Sequence, residues 1–243
     1  MTFDLWNTLI YTSPMDNLKF KNKRIEGFIE VLRQRGYNLT LGKMEAAYDE
    51  SFEIYKTIQE GEKDISTRDQ VEIILKCLGN PKADDLDEKY LGKLDQVLAT
   101  QILSDLPELI KGGQEILNYL KNRNYKIGLV CNTGRTPGKI LREVLSRRNI
   151  AHFFNRLTFS NEQRIRKPDP RIFLSTLESL GSIPSNSLHL GDELKSDILG
   201  AKRSGMKSAW FVPDWNRTQM NFLPEERPDF ILPDLNYLKE VLE

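Results

Sequence analysis

Four short stretches of this chain carry the residue types that chemistry on an anionic substrate requires. Asp4 follows an apolar start and precedes Asn7-Thr8, which puts a carboxylate where a first β-strand gives way to a loop. Asn132-Thr133-Gly134-Arg135 follows the apolar run 126–131, and Lys167 stands in a basic segment with Arg164 and Arg166. Gly191-Asp192-Glu193 ends the run 187–191, with Asp197 five residues beyond Asp192. A carboxylate that attacks an anion needs a cation beside it, a second carboxylate to hold a metal, and an anion cradle. These stretches supply all three. Singly, each residue has a plainer reading: Asp4 as a turn former, Lys167 as a solvated loop lysine, Gly191-Asp192 as a turn and N-cap, Asp197 as a helix-start carboxylate favoured by the dipole. Jointly, at successive strand ends, they point to an enzyme.

The elements that must position them follow from periodicity. After Pro107, strand-like and helix-like runs alternate. Helices are predicted over 113–122, 136–148 (Thr136 as N-cap, Pro137 as first position), 169–181, 195–204 and 236–243, and strands over 126–131, 156–160, 187–191, 208–212 and 229–232. Such alternation implies a three-layer α/β fold, a Rossmann-like parallel sheet with helices on both faces, whose ligands sit at the carboxyl ends of the strands. Met1-Thr2-Phe3 is a short lead-in for the strand before Asp4, which implies a clipped first strand or a start further upstream.

Between 14 and 104 the pattern is helical throughout. Ile25, Phe28, Ile29 and Leu32 recur at helical spacing before Gly36, and a second helix is predicted over 42–59. Ser66 and Asp69 form a capping-box pattern ahead of Val71, Ile74, Leu75 and Leu78, and Leu91, Leu94, Val97, Leu98 and Ile102 make a fourth helix. The expected division is a core of 1–12 and 106–243 with a helical insertion at 13–105. The charge-rich stretch 60–69 reads as a solvated turn.

Length and composition agree with one soluble protein of ordinary kind. The 243 residues suffice for a large core with an insertion, and 39% hydrophobic with 29% charged residues is a globular balance. With 35 basic and 35 acidic residues there is no net field to hold nucleic acid or an anionic membrane surface, so anion binding must be local. Cys77 and Cys131 give neither a disulfide framework nor metal-ligand spacing, and there is no membrane-length apolar run or leader, so a cytoplasmic location is expected.

The four stretches resemble the four motifs of the haloacid dehalogenase superfamily. Asp4-Leu5-Trp6-Asn7-Thr8-Leu9 matches the nucleophile motif, Val130-Cys131-Asn132-Thr133 the second, Lys167-Pro168-Asp169-Pro170 the third, and Gly191-Asp192-Glu193-Leu194-Lys195-Ser196-Asp197 the fourth. The insertion falls where many relatives carry a helical cap. The resemblance implies hydrolysis of a small phosphorylated molecule through an aspartyl-phosphate on Asp4. It implies Mg2+ held by Asp4, Asp192 and the backbone carbonyl of Trp6. Lys167 would pair with Asp4 and the phosphoryl oxygens, Cys131, Asn132 and Thr133 would line the cradle, and Asp197 would orient Lys167 or metal waters.

Two departures qualify this expectation. Phosphatases of the superfamily usually carry a second Asp two residues after the nucleophile, as acid and base; here Trp6 stands there, with only an indole N–H to give. General acid–base assistance is worth ~100- to 10,000-fold, so poor leaving groups should react slowly. The dehalogenase branch has an aromatic residue at this place, and its halide needs no proton. Metal-free dehalogenation by Asp4 is therefore one alternative, and a catalytically weak ligand-binding member of the fold is another. Intact Asp192 and Asp197 favour phosphoryl chemistry. Cys131 replaces the usual Ser or Thr and weakens the cradle as a donor; it reads as a small core residue, with a redox-sensitive thiol as the minor alternative. His189 reads as a packed or edge residue of a strand, Arg135 as meeting a substrate anion or solvent, and Tyr48, Tyr55, Trp210 and Trp215 as packing aromatics.

Overall fold

Apolar runs short enough to be buried on both faces make the central sheet. In the computed structural model, which describes residues 1–81, 83–213 and 222–242, the strands are β1 (Thr2–Phe3), β2 (Ile10–Tyr11), β3 (Glu108–Leu109), β4 (Gly128–Cys131), β5 (Arg156–Phe159), β6 (Leu188–Gly191), β7 (Lys207–Phe211) and β8 (Phe230–Leu232). Six of them form one parallel sheet in the order β5-β4-β1-β6-β7-β8. Thr2 lies between Gly128 and His189, and Phe3 between Leu129 and Leu190. The expected α/β architecture is the one observed. Strand order reverses at β1, whose carboxyl end is therefore the crevice where such sheets bind ligands.

The helices are α1 (Pro14–Arg33), α2 (Leu41–Glu60), α3 (Thr67–Leu78), α4 (Glu88–Thr100), α5 (Gly113–Asn122), α6 (Gly138–Arg147), α7 (Ser160–Gln163), α8 (Pro170–Ser179), α9 (Leu199–Arg203) and α10 (Leu238–Val241). The first four start on side-chain caps, Ser13, Thr40, Ser66 and Asp87, each accepting a backbone N–H inside the first turn. Ser66 and Asp69 complete the capping box, and Gly79 ends α3 in the left-handed conformation at φ 76°. Their apolar faces meet in a core of their own, built on Ile25, Phe28, Leu32, Met44, Tyr48, Ile74, Leu75, Leu94 and Leu98. At ~1.5–3 kcal/mol for each large side chain buried, this cluster rather than helix propensity holds the layer together.

Three details depart from expectation. Pro137, not Thr136, is the residue before α6, whose first position is Gly138. The helix expected over 195–204 begins as a π-turn, Leu194–Ile198, before α9. Strands β2 and β3 were not expected; they pair antiparallel, Ile10 with Leu109 and Tyr11 with Glu108, where the chain leaves and re-enters the sheet domain. Trp215 lies outside the described residues, as does Glu243 at the end of the last expected helix. No helix among the described residues is long and apolar enough to cross a membrane.

Candidate active site

Asp4 is the first residue past β1, and its N–H still bonds Leu190 O at 2.8 Å, so the ladder fixes its backbone while its side chain leaves the sheet edge. Asn7 then takes a left-handed conformation (φ 55°) and its N–H reaches Ile10 O at 2.8 Å, turning the chain back. Trp6, between them, is partly buried against the main core.

Lys167 is 2% exposed. Its peptide is clamped by one side chain: Asn132 Oδ1 accepts the Lys167 N–H at 2.9 Å, and Asn132 Nδ2 donates to Lys167 O at 3.1 Å. The ammonium donates to Asp4 Oδ1 and, at 2.6 Å, to Asp197 Oδ1. Asp197 reaches this point because the π-turn draws it back over the strand end: Ile198 N–H as well as Asp197 N–H bonds Glu193 O, at 3.4 and 2.8 Å. A Cβ on Gly191 would lie 2.2 Å from Asp197 Cγ. Only glycine leaves room for that carboxylate.

His189, fully buried within β6, extends the chain of contacts. Its Nε2 lies 3.1 Å from Asp197 Oδ1 and its Nδ1 2.9 Å from Thr2 Oγ1. A carboxylate only accepts, so Nε2 carries the proton and Nδ1 accepts from the threonine. The ring is packed, as expected, edge-on to Phe173. Its hydrogen bond to Asp197 was not foreseen, although a polar ring in a fully buried strand must find partners.

Charge in this centre is out of balance. Ligand oxygens of Asp4, Asp192 and Asp197 all lie within 4.8 Å of one another, with one lysine among them. Burial outweighs Lys167 and, with Asp197 and Asp192 nearby, pushes Asp4 up to about 8. Burial and Asp197 push Asp192 up to about 6. Asp197 is also buried, but Lys167 and the His189 N–H hold its carboxyl well below the usual range. Lys167, despite burial, is held above the ordinary lysine range by Asp197 and Asp4. Of two carboxylates sharing one cation, Asp197 has the stronger claim, because the Glu193 N–H also reaches it at 3.0 Å.

The expected cradle residues gather here, but their side chains have other partners. Asn132 clamps Lys167. Thr133 donates its N–H to Ser160 Oγ at 2.7 Å and its hydroxyl to Asp64 Oδ2 at 3.2 Å. Cys131 is buried, and burial with Asp4 nearby raises its thiol well above the ordinary value, which fits the small core residue and disfavours the thiolate that redox chemistry requires.

Asp64 was missed by sequence reasoning, and the expected solvated turn over 60–69 is corrected. The residue is 2% exposed and is ringed by donors: Tyr55 Oη and the Ile65 N–H, each at 2.8 Å, on Oδ1, and the hydroxyls of Thr133 and Ser160 on Oδ2. Arg135 is likewise buried instead of meeting solvent or a substrate anion. Its guanidinium lies 4.9 Å from the Tyr48 ring and 5.6 Å from Tyr55, and it donates to Ser51 Oγ at 2.8 Å. It ties α6 to α2. Beside Asn7 and Asp192 opens a groove of about 1080 Å³, lined also by Tyr11, Lys111, Trp210 and Asn236.

The profile of the haloacid dehalogenase-like hydrolases matches residues 48–211. The chain belongs to that family. Among relatives of the family, glyceraldehyde 3-phosphate phosphatase of Pyrococcus furiosus is 32% identical over 134 residues, 55% of this chain and 54% of that protein. The chain spans about half the length of the relatives it matches. A 2-haloacid dehalogenase from Pseudomonas syringae superposes with a TM-score of 0.68 at 19% identity over 99% of this chain and 96% of that one. A HAD phosphatase from Thermococcus onnurineus gives 0.60 at 22%, with the same coverage. At these identities both structures speak for the fold alone.

Proposed function

We propose that this family member is a Mg2+-dependent hydrolase of a small phosphorylated molecule, working through an aspartyl-phosphate on Asp4. In this reading 1–12 and 106–243 form the core that does the chemistry, and 13–105 form a cap. The observation that carries it is the charge imbalance around Lys167. Ligand oxygens of three carboxylates lie within 4.8 Å of one another, and the one ammonium among them pairs with two, Asp4 and Asp197, an arrangement that suits a metal and a phosphate and has no use in displacing halide from carbon. The name borne by the Pyrococcus relative supports the phosphatase alternative. The groove beside Asp192 is of a size for a small molecule. The two free cysteines support a cytoplasmic setting.

The residues fit a hard divalent cation. Asp4 and Asp192, both pushed up by burial and by the Asp197 carboxylate, with the Trp6 carbonyl, are the oxygen donors that would hold it. Both oxygens of Asp197 are already engaged by Lys167, His189 and Glu193, which supports an orienting role. When bound, the ion supplies the positive charge that lets a phosphate dianion approach a carboxylate, a repulsion of several kcal/mol at ~4 Å in a partly desolvated site. The Asp4 oxygen then forms a bond to phosphorus as the ester bond breaks and its electron pair departs with the leaving oxygen. Lys167 balances charge on Asp4 and on the phosphoryl oxygens. The Thr133 N–H is taken by Ser160, so other backbone N–H groups of the turn between β4 and α6 would complete the cradle. Water next attacks phosphorus, breaks its bond to Asp4 and releases inorganic phosphate. Trp6 offers no carboxyl proton to the leaving oxygen, so that oxygen departs as an anion and is protonated by solvent.

The deciding experiment compares p-nitrophenyl phosphate, acetyl phosphate and sugar phosphates, with Mg2+ and with chelator, for wild type and Asp4→Asn. Turnover is expected only with metal, fastest for the better leaving groups, and reduced on the order of 10,000-fold or more in Asp4→Asn. A folded wild-type protein without turnover overturns the proposal. Halide release from 2-haloacids in chelator would then identify the dehalogenase alternative.

A further inference from the structure

The loop between α2 and α3 grips the segment that carries Lys167. Lys63 pairs with Ile165 in an antiparallel bridge, the Asp64 N–H donates to Arg164 O at 3.3 Å, and the Arg166 N–H donates to Glu62 O at 3.1 Å. The bridge stops one residue short of Lys167. Ion pairs flank it, Arg164 with Asp69 and Arg203 with Glu62, but these are largely exposed and such pairs contribute little. Arg135 and Gln70 also join the helical layer to the turn after β4, but the bridge and Asp64 are the contacts that lead to Lys167.

Asp64 gives a second route to the same lysine. Its Oδ2 holds the hydroxyls of Thr133 and Ser160, which stand past the ends of β4 and β5. Thr133 follows Asn132, and Asn132 clamps the Lys167 peptide from both sides. One route runs through backbone, the other through side chains, and they converge on one residue. A buried carboxylate is tolerated only when its lone pairs meet donors, so this ring of hydroxyls forms only with the helical layer seated on the sheet.

We propose that Asp64, with the bridge at Lys63, is a positioning device: seating of the helical layer sets the place of Lys167 between Asp4 and Asp197, and the centre is assembled only in the seated state. Asp64 touches none of Asp4, Lys167 or Asp192 through the contacts described, so it acts through Thr133 and Asn132 and is not itself catalytic. The activity part of the proposal rests on the phosphoryl-transfer reading; the structural part does not.

The test is Asp64→Asn in the full chain, which keeps the size of the side chain but turns an acceptor facing two hydroxyls into a donor or removes an acceptor from Tyr55. With p-nitrophenyl phosphate and Mg2+, kcat is expected to fall on the order of 100-fold, the scale of a misplaced catalytic group, with KM within about threefold. Amides of 131–134 and 164–167 are expected to exchange with deuterium at least about tenfold faster, the sign of local opening. Thr40→Ala removes the N-cap of α2, at the far end of that helix, and should weaken the layer while leaving kcat and that exchange unchanged. Tyr55→Phe, which keeps the ring and removes one donor, should show the Asp64→Asn pattern at about a tenth of its size and decides the matter if Asp64→Asn does not fold. Wild-type kcat and wild-type exchange in both Asp64→Asn and Tyr55→Phe, or equal losses in Thr40→Ala, would overturn the proposal. Should wild type hydrolyse no phosphate ester, the function proposed above fails, and the exchange comparison still decides the role of the loop.

Discussion

Two buried carboxylate centres lie side by side in this molecule and solve the same problem differently. Around Asp64, every oxygen faces neutral donors, two to each, and the charge is dispersed over hydroxyls and an amide. Around Lys167, two carboxylates share one ammonium and a third stands near, so burial pushes Asp4 and Asp192 up toward their neutral forms. The first centre is complete as it stands and holds parts together. The second is left wanting positive charge, which is the condition of a site that awaits a cation and an anion together. Stability and reactivity are thus divided between neighbouring carboxylates.

The Lys167 centre is most vulnerable at Gly191. Gly191→Ala places a methyl where Asp197 must sit, so Lys167 loses its stronger partner. Expected are a loss of kcat on the order of 100-fold and of stability by about 1–3 kcal/mol, measured by phosphate release and by denaturant unfolding. An alanine variant with wild-type kcat would show that Asp197 has no part in placing the lysine.

A smaller effect, on pH and metal, sharpens the contrast. The folded protein holds protons on Asp4 (about 8) and Asp192 (about 6) that unfolded carboxyls have already lost. Without metal, these two groups therefore lower stability as pH rises from about 4 toward 8. Asp197 has the opposite sign, but its contribution is lost only in stronger acid, below this window. A cation needs both carboxylates ionised, so the stabilisation by Mg2+ should grow across the same range. At pH 8 and a hundredfold excess over the dissociation constant it should reach about 2.7 kcal/mol, or about 5–10 °C in Tm, and be small at pH 5. A shift in Tm independent of pH would mean that the metal, if it binds, does so elsewhere.

The smallest change tests the exposed rim. Arg203→Ala removes the pair with Glu62 beside the bridge and is expected to cost under about 1 kcal/mol, with unchanged kcat. A larger loss would assign to surface charge the docking attributed here to Asp64.

The chemical residues were legible in the sequence because each stands where an apolar run ends, and a parallel sheet brings such ends to one edge. Asp4 and Asp192 needed only strand order to meet, whereas Asp197 also needed the π-turn and Lys167 the clamp by Asn132. Asp64 was not legible, because its burial is decided by partners 69 and 96 positions away, Thr133 and Ser160. Locally, Glu60 to Asp69 has the composition of a solvated turn. Arg135 misled for the same reason: the aromatic rings that cover it come from α2. The π-turn was hidden because one residue more per turn leaves a helical spacing almost unchanged over five residues. Strands β2 and β3, two residues each, carry no periodicity at all.

That short ribbon has a consequence for how the chain is put together. Residues directly opposite in an antiparallel pair have Cα atoms about 4.5–5.5 Å apart, and Tyr11 stands opposite Glu108. Seen from the sheet, the whole run from Thr12 to Pro107 occupies the footprint of a hairpin loop. Since closure entropy grows only with the logarithm of loop length, holding the ends of that run together costs only about 3 kcal/mol more than closing a short turn, so helices α1 to α4 hang from a ladder of two residue pairs.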